Sequence, residues 1–178
     1  MRPNIEEIRG LGDFATVYQW NISIIKQPTV LSPGQRLTSS ELNLRCISTD
    51  LPKVDDEKIM TNIRGHKVKQ AGQATYSDAL ELQFAETINN KIHLFLSGWM
   101  QACWRFRTGV HVLKADAEAT FLWQRLDRQD NPIWWYKTYG TLIQAYNLPK
   151  ASNENQGFQP SMTVTIDYFE EGPGVGAA

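Results

Sequence analysis

The residues of this 178-residue chain that are best suited to chemistry are few and scattered. Asp55, Asp56 and Glu57 form a run of adjacent carboxylates, which suits general acid–base work or metal binding and equally suits a solvated face. His66, His93 and His111 stand far apart. None lies at ligand spacing from another histidine or from Cys46 or Cys103, which argues against a zinc site. The two cysteines, one in a strand-like and one in a helix-like segment, read as small buried hydrophobes rather than as a disulfide. There is no G-x-S-x-G elbow, no phosphate-binding glycine loop and no H-E-x-x-H. Gly10-Leu11-Gly12 lacks the third glycine and the preceding strand of a dinucleotide turn. The expectation is a non-enzyme with no catalytic residue, metal or cofactor.

Two groups suit binding instead. Arg64, His66, Lys67 and Lys69 could contact phosphate, but only Tyr76 lies near them as a stacking partner, so a single-strand groove is poorly supported. A polar hairpin tip, or an interface that meets a neighbour's carboxylates, explains them as well. Trp123, Trp134 and Trp135 could form a carbohydrate-stacking platform, or could simply pack across a hairpin. The formal net charge of -1 speaks against a general polyanion binder, and 42% apolar with 21% charged residues describes a globular chain. The first residues, Met1 to Ile8, lack the apolar core of a signal peptide and no apolar run approaches a membrane span, so cytosolic synthesis without a membrane anchor is expected.

The elements that must position these residues are mostly strands. Residues 3–10 carry a short helical pattern ended by Gly10 and Gly12. Tyr18 to Lys26 alternates, with Trp20, Ile22 and Ile24 on one face and Asn21 and Ser23 on the other. A turn-rich connector runs from Gln27 to Ser40, and Glu41 to Ser48 alternates again as a second strand. Residues 50–76 carry little core material and predict a long hairpin or arm that finds its partner on another subunit. Leu80, Leu82 and Phe84 point inward from a strand over Ala79–Ala85, with Glu81 and Gln83 outward. Residues 88 to about 107 repeat apolar side chains at three- and four-residue spacing, which predicts one substantial helix stopped by Gly109. Ala117–Leu126 and Ile133–Ala145 form an aromatic hairpin around a polar turn. The strongest strand is the last: Met162, Val164, Ile166 and Tyr168 alternate with Thr163, Thr165, Asp167 and Phe169 through Gln159–Glu171. Six or seven strands around one helix favour a sandwich or barrel over a βαβ fold.

Taken in order, these landmarks resemble the tail tube proteins of contractile-tailed bacteriophages. Gly12-Asp13-Phe14-Ala15 precedes the first strand, and Leu51-Pro52 ends the second and opens a charged excursion. Trp99 sits mid-helix, and the aromatic hairpin runs into Tyr139-Gly140. The ending Val164-Thr165-Ile166-Asp167-Tyr168-Phe169-Glu170 is similar to that family's closing hydrophobic-Asp-Tyr-aromatic-Glu strand. The connector from Gln27 to Ser40 is longer than in the family, and a Gly-rich tail follows Glu171.

The resemblance implies one tail-tube domain over 1–178: a mainly β sandwich or barrel with one flanking α-helix, an inter-subunit arm at about 50–76 and a flexible tail at 172–178. The same fold serves the inner tubes of type VI secretion and related injection machines. The resemblance further implies hexameric rings of the chain itself, stacked into a tube inside a tail sheath, with tape-measure, baseplate and tail-terminator proteins as partners. Genomic DNA would pass through the bore without sequence-specific binding, and the mature protein would reside in the virion. Asp55, Asp56, Glu57, Arg64, His66, Lys67, Lys69 and Glu170 are candidate inter-subunit contacts. Asn21, Ser23, Asn43, Glu81 and Gln83 are candidate polar lining. A period of two defines two faces without saying which of them faces the bore.

Overall fold

The computed structural model describes residues 19–76, 79–105, 109–150 and 157–174. The short helical pattern over residues 3–10, the Gly12–Ala15 landmark, Phe106 and residues 175–178 lie outside the described residues. Two four-stranded antiparallel sheets face each other. The first has the order β1 (Trp20–Lys26), β8 (Thr120–Leu126), β9 (Pro132–Tyr139), β12 (Tyr168–Pro173). The second has the order β10 (Leu142–Asn147), β11 (Ser161–Thr165), β5 (Leu80–Phe84), β2 (Cys46–Thr49). A separate hairpin, β3 (Val54–Ile63) with β4 (His66–Tyr76), stands on the 50–76 segment, and a two-residue ladder joins β6 (Trp104–Arg105) to β7 (Val110–His111). The helices are α1 (Ser39–Arg45), α2 (Lys91–Cys103) and α3 (Lys114–Ala117). This is the expected mainly β sandwich with a flanking helix.

The core follows from alternation. Ile22 and Ile24, Phe121 and Trp123, Leu80, Leu82 and Phe84, and Met162 and Val164 all point between the sheets and are buried there. From α2, Phe95, Leu96 and Trp99 close one end. Rings run in a chain across the core: Phe95 to Trp99 at 5.6 Å, Trp99 to Phe121 at 6.3 Å, Phe121 to Trp123 at 5.6 Å. Each buried indole finds an acceptor, as it must in a dry interior: Trp99 Nε1 donates to the Ala117 carbonyl at 2.8 Å and Trp123 Nε1 to Thr49 Oγ1 at 2.9 Å.

Four sequence expectations are corrected. The first concerns Glu41–Ser48, whose alternation resolves into α1 followed by β2. Thr38 is the reason: its hydroxyl accepts the Glu41 N–H at 3.2 Å while the Glu41 carboxylate accepts the Thr38 N–H at 3.0 Å, a capping box that starts the helix. Two residues apart on a helix are about 200° apart, so Leu42 is buried while Leu44 is 82% exposed. Asn43 therefore sits on a helix, not on a strand lining a bore.

The helix predicted over 88–107 is shorter at both ends. Ile88 is 98% exposed, and α2 begins only at Lys91, where the Glu86 carboxylate accepts the Ile92 and His93 N–H groups at 3.4 and 2.6 Å. It ends at Cys103, because Trp104 turns extended to pair with His111. Gly109 (φ +65°) lies beyond, within the link to β7, and does not stop the helix.

The last two corrections share one corner. Ile133–Ala145 is two strands, β9 and β10, which belong to different sheets, and so is Gln159–Glu171, as β11 and β12. Both segments change sheet side by side, at Gly140 and at Asp167. The change shifts the alternation, so Tyr168 is exposed while Phe169 packs on the core. Beyond it, Gly172 and Pro173 belong to β12, paired with Trp135 and Trp134, rather than to a loose tail.

Candidate functional site

The 50–76 segment forms an antiparallel hairpin whose residues are nearly all exposed, from Val54 to Tyr76, with its turn at Arg64-Gly65. Register assigns its two faces, because directly opposed residues share a side. Ile63/His66, Thr61/Val68 and Ile59/Gln70 alternate with Asn62/Lys67, Met60/Lys69 and Lys58/Ala71. One face is therefore apolar (Ile59, Ile63, Val68) and the other basic (Lys58, Lys67, Lys69). The base is anchored: Tyr76 meets Phe169 edge-on at 5.7 Å and packs on the core.

The sequence-predicted contact residues divide along this hairpin. Asp55 lies near the base, about seven residues from the level of Lys67, or roughly 23 Å at strand rise. The acidic and basic groups are thus too far apart to pair within one chain. Asp56 is partly used locally, since its Oδ1 accepts the Gly72 N–H at 3.1 Å across the bulge beside Glu57. Among the described residues, the ion pairs involve none of Asp55, Asp56, Glu57, Arg64, His66, Lys67 or Lys69. Glu170 is elsewhere, on the outer face of the first sheet, accepting the Tyr139 hydroxyl at 2.9 Å beside the stacked Tyr139–Tyr168 pair (4.7 Å). Burial and the neighbouring Glu170 raise the Tyr139 phenol above its ordinary value.

The lining candidates do not share one surface. Asn21 and Ser23 lie on the outer face of β1, Glu81 and Gln83 on the outer face of β5 in the other sheet. Asn43 instead caps a strand edge, where its Oδ1 accepts the Ile22 N–H at 2.9 Å on the open side of β1. Next to it, Ser39 Oγ accepts the Ile24 N–H at 3.2 Å and donates to the Ile24 carbonyl at 3.1 Å. Sequence reasoning missed this edge cap. Its only signal was the Thr38–Glu41 capping box that places Ser39 and Asn43 on a helix.

The remaining candidates are not catalytic. Trp123 is 1% exposed and unavailable for stacking a sugar, while Gly172 lies against the Trp135 ring, where an added Cβ would stand 3.2 Å away. Among the described residues, no cluster of three metal-ligating side chains gathers, and no helix is long and apolar enough to cross a membrane. Cys46 and Cys103 are unbridged and pack against the core; burial pushes the Cys46 thiol up to about 12 and raises Cys103 as well.

The two sheets, flanking helix and projecting hairpin recur in solved contractile particles. A chain of the extended sheath–tube complex of the PVC extracellular contractile injection system aligns over 97% of this chain and 99% of its own, with TM-score 0.65 and 11% identity. A chain of the PVC sheath/tube terminator in the extended state gives TM-score 0.65 and 10% identity over 91% and 99%. One from the tube-terminating cap of the anti-feeding prophage gives 0.66 and 10% over 91% and 93%. No protein-family model and no curated protein matches the sequence. The chain has the fold of the inner tube proteins of contractile tails.

Proposed function

We propose that this protein is a structural subunit that assembles with copies of itself into the rigid inner tube of a contractile tail. The observation that carries this reading is the hairpin Val54–Tyr76. It exposes Ile59, Met60, Ile63 and Val68 on a ribbon with almost no intramolecular support, and a two-stranded ribbon is marginal in water unless it packs against something. A neighbouring subunit supplies that support. Head-to-tail contacts of one kind close by rotation into a six-membered ring, while contacts of the other kind stack rings without end.

In this reading sheath, baseplate and terminator proteins contact the tube, the work is mechanical and no catalysis is involved. The finer reading is a bacteriophage tail, in which a tape-measure protein and then genomic DNA occupy the bore and the protein ends in the virion. Similarity to chains of extracellular contractile injection systems favours a second, non-viral reading of the same tube. Negative-stain microscopy of the purified protein tests the core claim: hollow rods or rings are expected, and a compact single particle at every concentration would refute it. Nucleic acid inside purified native particles separates phage tail from injection system.

A further inference from the structure

We infer that the sheet β10–β11–β5–β2 continues from subunit to subunit around the ring and that its outward face is the wall of the bore. This assignment rests on the tube reading, and two independent observations select this sheet over its partner.

The first is the state of the sheet edges. An edge strand presents a row of unpaired N–H and C=O groups, the material from which a neighbour extends a ladder. At β1 that row is already occupied: Asn43 takes the Ile22 N–H, and Ser39 both takes the Ile24 N–H and gives to the Ile24 carbonyl. The first sheet therefore ends there. In the second sheet Cys46 N–H is used by the end of α1, toward Leu42. Beyond that bond, no other element among the described residues hydrogen-bonds the outer edge of β2 or of β10. All three pairings in this sheet are antiparallel, so β10 and β2 run in opposite directions. Rotation about a ring axis preserves strand direction, so β2 of one subunit meets β10 of the next antiparallel and the ladder closes without a break.

The second observation is charge. Register places Ser48, Glu81, Gln83, Ser161, Thr163 and Thr165 on the outward face. Lys and Arg are absent from that set, and Ser48 Oγ bonds Gln83, which in turn reaches Gln159. The charges it carries, Glu81 and the adjacent Asp50, are negative. Such a wall offers a phosphate-bearing chain no counter-ion to hold it, which suits a channel through which cargo slides. The outer face of the first sheet instead presents Lys137 beside the Tyr139–Tyr168 stack.

The test uses assembled tubes of a Cys46→Ala, Cys103→Ala chain carrying either Thr163→Cys or Ser23→Cys, each labelled with a mercurial and imaged by electron cryomicroscopy. Mercury on Thr163→Cys is expected at the innermost protein radius, and mercury on Ser23→Cys about one sheet separation, ~10 Å, farther out. The reverse order, or equal radii, overturns the assignment while leaving the tube reading intact. If Thr163→Cys blocks assembly, Thr165→Cys reports on the same face. A wild-type chain that forms neither rings nor tubes overturns the tube reading and this assignment with it.

Discussion

Gly140 and Asp167 meet at the corner where two neighbouring segments pass from one sheet to the other. Gly140 has φ +61°, and a Cβ there would overlap the Asp167 carboxylate. Asp167 N–H donates to the Tyr139 carbonyl at 3.1 Å, and Lys114 pairs with the Asp167 carboxylate from α3. The corner joins both sheets and the short helix through one residue without a side chain.

Replacing Gly140 by alanine combines a left-handed backbone penalty with this overlap. A loss of about 2–4 kcal/mol is expected in denaturant unfolding. Adding Asp167→Ala should recover part of it, because the overlap is removed and only the backbone strain remains. A strictly additive double variant would mean that the two residues do not meet.

Asn43→Ala leaves the Ile22 N–H without its acceptor and should cost about 1–2 kcal/mol. Hydrogen exchange gives a sharper readout: the Ile22 amide should exchange faster while amides in β8 keep their protection. Uniform acceleration would point to a general loss of packing instead.

Ile59→Asp with Val68→Asp places charge on the apolar face of the hairpin. Both positions are exposed in the single chain, so unfolding of the monomer should shift by no more than about 0.5 kcal/mol. Rods and rings should disappear under the microscope. Wild-type rods from this variant would remove the hairpin face from the interface.

The basic face is tested separately by Lys67→Glu with Lys69→Glu. If Asp55, Asp56 and Glu57 of one ring meet these lysines on the next, tube yield and length should fall and partly recover in high salt, which screens the new repulsion. Unchanged tubes would dismiss that pairing.

Cys46 gives a pH signature. Its folded value, raised to about 12 by burial, lies above the ordinary 9.0. The fold therefore favours the neutral thiol, and that contribution is complete below pH 9 and lost as pH rises toward 12. In a Cys103→Ala background, alkylation of the folded protein at pH 9 should be slow and unfolding should accelerate it strongly. Cys46→Ala should flatten the alkaline decline in stability.

Much of the architecture follows from the order of residues alone. Period two marked β1, β5 and β11, because their inward residues contact a single core from one side. The thin apolar content of 50–76 marked a segment unable to bury itself, and the 3.6-residue period marked the middle of α2. What the order of residues left open was decided by distant partners. Thr38 and Glu41 turned an alternating stretch into a helix, and Glu86 set the start of α2 by capping it. Gly140 and Asp167 moved two continuous patterns between sheets without interrupting either. The strand edges carry the same lesson. Alternation names two faces of every strand, but only the packing of α1 onto β1 determines which backbone groups stay open. Backbone hydrogen bonds are blind to side-chain identity, so their accounting closes only in three dimensions.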